Sequence, residues 1–152
     1  MIILDTNVLS ALMQQQPDPQ VVAWLDDQPA ESIWLSSITV FEARYGLALL
    51  PAGRRKDLLE QRFEELVQDD LQNRVLLFDI NAAAHAAQLA ADRKTRGRPV
   101  EMRDTFIAGI ALARRATLVT RNVRHFDDLS VPVVNPWTDW KATPTADSTP
   151  KT

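Results

Sequence analysis

Short apolar runs alternate with amphipathic stretches along this chain, and Pro, Gly and capping residues separate them. Ile2-Ile3-Leu4, closed by Asp5, reads as a short buried strand, and Thr6 or Asn7 caps a helix running toward Met13. Pro17 and Pro19 end that helix, and a second from about Gln20 to Asp27 leads through Pro29 to a strand near Ile33 to Leu35. Ser36, Ser37 and Thr39 offer caps for a helix reaching about Leu50, which Pro51 and Gly53 interrupt. Leu58, Leu59, Phe63, Leu66, Val67 and Leu71 recur at near-helical spacing, so one long amphipathic helix is expected over 54–72. Val75 to Phe78 is then a strand, Asn81 to about Arg96 an alanine-rich helix ended before Gly97, and Glu101 to Arg115 a further helix. Thr117 to Thr120 is another strand, and Val131 to Val134 a last one that Pro132 restricts to a sheet edge.

Strands separated by helices predict a parallel sheet with right-handed crossovers, an α/β sandwich. The 152 residues suit one domain, which at this size buries roughly 70% of the surface of its unfolded chain. Residues 138–152 lack an apolar period and are expected to form a mobile tail beyond a domain at 1–137. Met1 leads directly into the first strand with no charged leader and no apolar span of membrane length, so a cytoplasmic protein with no membrane contact is expected. Zero cysteines exclude disulfides and thiolate metal sites.

A net charge of −3 argues against a nucleic-acid coating protein held by bulk positive charge, but leaves room for a nuclease with local basic clusters. Such clusters occur at Arg54-Arg55-Lys56, across Arg93 to Arg98, and at Arg121 and Arg124. The first two are ordinarily solvated helix ends.

The acids stand out more. Asp5 ends a buried run, while Glu42 and Asp104 fall on the inner stripes of their helices, with Ile38 and Leu49 around one and Ile107, Ala108 and Ala111 around the other. Ionised carboxylates placed this way need cations, protons or water to be tolerated, and hard divalent ions prefer such oxygen ligands. Each has an ordinary reading too: Asp5 as a turn or cap, Glu42 closing a capping box with Thr39, and Asp104 as a first-turn acid favoured by the helix dipole. Ligands in parallel α/β folds collect beyond the carboxyl ends of strands, where Asp5 and Asn122 could meet. His125 reads either as a base or as a ring packed beside Phe126, and His85 as structural.

Ile3-Leu4-Asp5-Thr6-Asn7, Ile38-Thr39-Val40-Phe41-Glu42, Asp104 with Phe106-Ile107-Ala108, and Val119-Thr120-Arg121-Asn122 resemble, in order, the motifs of PIN-domain ribonucleases. Val22-Ala23-Trp24-Leu25-Asp26 and Asn135-Pro136-Trp137 are similar to the FitB-like branch of VapC toxins. The resemblance implies a PIN-like three-layer α/β/α sandwich with a central parallel sheet. It also implies a Mg2+- or Mn2+-dependent endoribonuclease, the toxin of a type II toxin–antitoxin pair. Asp5, Glu42 and Asp104 match the family's acidic positions as metal ligands, with Thr6, Asn7 and Thr120 holding them in place. The family's fourth acid falls at the place of Asn122 or a few residues later, and this chain has Asn122, His125 and then Asp127 there. Asn122 is therefore a candidate catalytic residue without negative charge. The implied partners are single-stranded RNA, a cognate antitoxin and a second copy of the chain, met through the exposed side of the helices between residues 20 and 72.

Two other enzyme or signalling classes fit less well. An aspartyl-nucleophile phosphatase needs an acid where Asn7 stands, and a receiver-like domain needs paired early acids and a phosphorylated Asp for which Ser36 and Asp79 are poor substitutes. A catalytically silent PIN-like module that binds RNA or protein remains the alternative.

Overall fold

The computed structural model describes residues 1–139. Five strands form one parallel sheet: β1 (Ile2–Leu4), β2 (Ile33–Ser36), β3 (Val75–Leu76), β4 (Thr117–Val119) and β5 (Val133–Val134), in the order β3-β2-β1-β4-β5. Six α-helices connect them: α1 (Thr6–Leu12), α2 (Pro19–Asp26), α3 (Ser37–Leu49), α4 (Arg54–Glu65), α5 (Ile80–Thr95) and α6 (Met102–Arg114).

The period-two alternation of strand side chains divides the core into two layers. Ile2 and Leu4 of β1, with Val119 of β4, face a core shared with Val8, Leu9, Val21, Leu25, Leu47 and Phe63 from α1 to α4. Ile3 and Leu118 face the other way, onto Ala82 and Leu89 of α5 and Ile107, Ala108 and Ala111 of α6. The result is an α/β/α sandwich whose middle strand, β1, pairs with β2 on one side and β4 on the other, Ile2 lying opposite Ile33 and Thr117.

α5 and α6 approach closely because α6 carries Gly109 where a side chain would collide. A Cβ there would sit 2.6 Å from the Ala82 carbonyl oxygen and 2.7 Å from the Ala86 Cβ.

The strands and helices fall close to the residues expected from the pattern, with three differences. The helix expected over 54–72 stops at Glu65 and continues as a wider π-type turn over Leu66–Asp70, closed by the Leu71 N–H donating to the Leu66 carbonyl at 2.9 Å. β3 ends at Leu76 instead of Phe78, because the Phe78 N–H is taken by the Ser37 hydroxyl at 3.0 Å and Leu77 turns outward. Pro132 precedes β5 on the sheet edge, and its carbonyl accepts from the Leu118 N–H at 2.9 Å. Of the expected tail, residues 138–139 belong to a turn in which Asp139 accepts from the Asn135 N–H at 2.8 Å, and the remainder lies outside the described residues.

Candidate active site

The chain turns back on itself across the sheet: β2 and β3 extend to one side of β1, β4 and β5 to the other. That reversal opens a crevice beyond the carboxyl ends of β1 and β4, the position where open parallel sheets bind ligands. Asp5 and Thr120 are the first residues past those two ends, and the Thr120 hydroxyl donates to Asp5 Oδ2 at 2.7 Å.

Asp5 is fixed from several directions. Its N–H donates to the Val119 carbonyl at 2.8 Å, continuing the β1–β4 ladder by one rung. Its Oδ1 accepts from the Thr6 N–H at 2.8 Å and caps α1, while Oδ2 also accepts from Asn7 Nδ2 at 3.3 Å. A carboxylate offers about four acceptor directions, so this set leaves one on Oδ1 for a further partner. Burial pushes the Asp5 carboxyl above its ordinary value and the nearby Asp104 adds to that, against the opposing hydrogen bonds from Thr120 and Thr6. Asn7 also accepts from the Arg121 N–H at 3.1 Å, tying the start of α1 to the segment after β4.

Glu42 does not close a capping box. Ser36 caps α3, its hydroxyl accepting from the Thr39 N–H at 3.1 Å, and that frees the Glu42 carboxylate to accept from the Thr6 hydroxyl at 3.0 Å. Arg103 stands 3.9 Å away on its other side. Burial again raises the carboxyl above its ordinary value, followed by repulsion from Asp5 and Asp104, while Thr6 and Arg103 oppose the shift. A cleft of about 190 Å³ lined by Thr6, Ser10, Gln14, Gly46 and Glu42 opens beside it. A hollow of about 610 Å³ between α3 and α4 contains none of Asp5, Glu42 and Asp104 and is lined by both signs of charge, including Arg44, Lys56, Glu60 and Glu64.

Asp104 is likewise spared from capping its helix. Glu101 takes that role, accepting from the N–H groups of Arg103 and Asp104 at 2.8 and 3.3 Å. Asp104 Oδ2 instead lies 2.8 Å from His125 Nδ1. Of the two candidates after β4, His125 and not Asn122 has its side chain against one of the three acids. Asn122 bonds through its backbone, donating its N–H to the Thr120 hydroxyl at 3.0 Å and accepting from the His125 N–H at 3.0 Å. The His125 ring also tilts toward Phe126, with centroids 6.3 Å apart, and His85 is exposed on α5.

Beneath Asp104 and His125 lies a residue the charge pattern misread. Arg93 is not part of a solvated cluster but is 2% exposed, its Nε and Nη2 forming a two-pronged bond with Asp128 at 2.9 and 2.8 Å. The same guanidinium donates to the His125 carbonyl at 2.8 Å and the Thr105 hydroxyl at 3.0 Å. Arg98, from the same run, pairs with Asp127 and the Arg124 carbonyl. Nothing local in the sequence marks Asp128 as Arg93's partner, since the two are separated by 35 residues.

Can these groups hold a divalent ion? Among the described residues no group of three or more His, Cys, Asp or Glu side chains is drawn together tightly enough to enclose one. The donor set nevertheless fits such an ion. Asp5 and Glu42 are held above their ordinary values by burial and by neighbouring carboxylates, a strain that a cation relieves. Magnesium commonly binds through one or two carboxylates and keeps several waters, which does not require a closed cage.

The chain matches the PIN domain family model over residues 2–131. It is 42% identical over 137 residues to a VapC ribonuclease of Sinorhizobium fredii, covering 90% of this chain and 98% of that one. It is also 42% identical over 139 residues to Toxin FitB of Neisseria gonorrhoeae, covering 91% and 100% of the two chains. The crystal structure of FitAcB from Neisseria gonorrhoeae superposes with a TM-score of 0.82 at 41% identity, covering 91% of this chain and 99% of that chain.

Proposed function

The chain belongs to the PIN-domain family, on the branch of the VapC and FitB toxins, and from that premise we propose that it is a divalent-metal-dependent endoribonuclease, the toxin of a type II toxin–antitoxin pair. The observation that supports the reading is that Asp5, at the sheet's reversal point, lies within electrostatic reach of Asp104 and Glu42, the last two relieved of capping by Glu101 and Ser36.

When bound, Mg2+ or Mn2+ supplies Lewis acidity toward water and phosphate. Asp5 and Asp104 are the residues that would hold it. Thr120, Thr6 and Asn7 fix the Asp5 carboxylate, so little reorganisation is needed when the substrate arrives. Glu42 is anchored through Oε1 by Thr6, and its Oε2, 3.9 Å from Arg103, would orient the attacking water. Arg103 beside Glu42, Arg121, whose guanidinium lies 4.8 Å over the Trp137 ring, and the exposed Arg124 are cations available to the RNA backbone. Single-stranded RNA suits this open site because its phosphates and splayed bases can both enter.

An antitoxin would occupy the acidic crevice, and a second copy would meet the outer face of α3. Phe41, Tyr45 and Leu49 lie exposed there, one turn apart, with the first two rings stacked at 5.9 Å. Light scattering after size exclusion tests the dimer, and a monomer at high concentration argues against it. Among the described residues no helix is long and apolar enough to cross a membrane.

A second reading, a silent RNA- or protein-binding module, is favoured by Asn122 and His125 standing where the family resemblance calls for a fourth acid. Incubating a mixed RNA pool with and without chelator separates the two. Products that need Mg2+ or Mn2+ and fall at least about 100-fold with Asp5→Asn and Asp104→Asn support the nuclease. Binding without products in either condition supports the module.

A further inference from the structure

We propose that His125 supplies an imidazole nitrogen ligand beside Asp104, so that the site selects a borderline transition ion such as Co2+, Ni2+ or Zn2+ over Mg2+. This rests on the reading of the acids as a metal site and specifies which ion that site prefers.

Spacing is the first argument. Two adjacent ligands on an octahedral ion, each about 2.1 Å from it, stand about 3.0 Å apart. Nδ1 of His125 and Oδ2 of Asp104 are 2.8 Å apart in a direct hydrogen bond, and turning the imidazole to swing Nδ1 off that bond lets both atoms face one ion.

Pre-positioning is the second. The ring is carried on a backbone whose carbonyl is held by Arg93, and the same guanidinium holds Thr105, the neighbour of Asp104. The His125 and Asp104 backbones are thus pinned to one buried group, although the ring itself is half exposed and open to solvent ions. Donors fixed before the ion arrives bind it with less ordering cost.

Donor chemistry is the third. Carboxylate and water ligands suit Mg2+, whereas an imidazole nitrogen suits Zn2+, Ni2+ and their neighbours, and affinity at such a site rises from Mn2+ through Co2+ to Ni2+. An aspartate in place of His125 would make the set all-oxygen and add negative charge, returning the advantage to Mg2+.

The test uses the full chain, stripped with chelator and free of RNA. Calorimetric titration with Ni2+, Co2+ and Mg2+ is compared among wild type, His125→Asp, His125→Ala and the control His85→Ala, each checked by circular dichroism for an intact fold. The expected result is that both His125 variants lose at least about tenfold in Ni2+ and Co2+ affinity relative to Mg2+, and that His85→Ala behaves as wild type. Pulsed EPR of Mn2+ bound to the wild-type chain should show imidazole nitrogen coupling, a readout that needs no variant. Unchanged Ni2+ affinity in both His125 variants, or nitrogen coupling absent, overturns the proposal and leaves His125 as a hydrogen-bond partner of Asp104, with the nuclease reading intact. Failure of the wild-type chain to bind any divalent ion overturns both.

Discussion

Replacing Arg93 with methionine removes one guanidinium and strands several groups together. Asp128, whose side chain is 5% exposed, loses both prongs of its bond, the His125 carbonyl loses a donor, and Thr105 loses the partner of its hydroxyl oxygen. Breaking a buried ion pair by deleting one partner costs about 3–5 kcal/mol, because the remaining charge is left without compensation. Arg96 lies 3.7 Å from Asp128 Oδ2 and can move closer, which favours the lower end of that range. At a urea slope of about 2 kcal/mol per molar, the unfolding midpoint should fall by roughly 1.5–2 M with little change in slope. Tryptophan fluorescence follows the transition, since four such residues are present.

The pH dependence carries a sign. Arg93 holds the Asp128 carboxyl below its ordinary value, so its stabilisation is complete above that value and disappears as pH falls through the lowered native one. The penalty of Arg93→Met should therefore be constant near neutrality and shrink only in acid. The double variant with Asp128→Leu should recover much of the loss, since no buried charge then remains unpaired. A single variant less than about 1 kcal/mol weaker than wild type, or a double variant no better than the single, refutes the reasoning.

Asp5→Asn, besides abolishing cleavage, should flatten the pH dependence of the chelator-treated protein. The native Asp5 carboxyl sits above its ordinary value, so wild-type stability declines as pH rises through that window, and urea midpoints between about pH 4 and pH 7 should decline less in the variant, with the remaining slope due to Glu42. Gly109→Ala forces its new methyl against the Ala82 carbonyl and should separate α5 from α6, costing about 1–3 kcal/mol in thermal or urea unfolding, and an unchanged midpoint would contradict the close approach.

Much of this architecture could be read from the chain because its signals are local. Alternating and helical periods located the elements, and Pro132 marked its strand as an edge. The π-type turn escaped because Leu66, Val67 and Leu71 keep an apolar rhythm whether a turn holds 3.6 residues or more, and only the Leu71–Leu66 bond distinguishes the two. Asp5, Glu42 and Asp104 were visible as acids on apolar faces. Asp5 still caps α1, while the release of Glu42 and Asp104 depends on Ser36 and Glu101 taking the capping roles, a competition that spacing alone does not decide. Arg93 was misread for a related reason: a basic residue near a helix end looks solvated until a distant acid folds over it. His125 stands out in the sequence, but its contact with Asp104 comes from tertiary packing.

The backbone of Asp5 belongs to the β1–β4 ladder while its side chain accepts from Thr120 beyond the strand ends, so one residue serves both the sheet and the proposed site. An acid mounted this way is as immobile as the innermost strand. Surfaces on the periphery, such as the outer face of α3, are free to diverge in sequence and acquire different companions without moving the proposed site. Recognition and reactivity can then evolve on separate schedules within a chain this small.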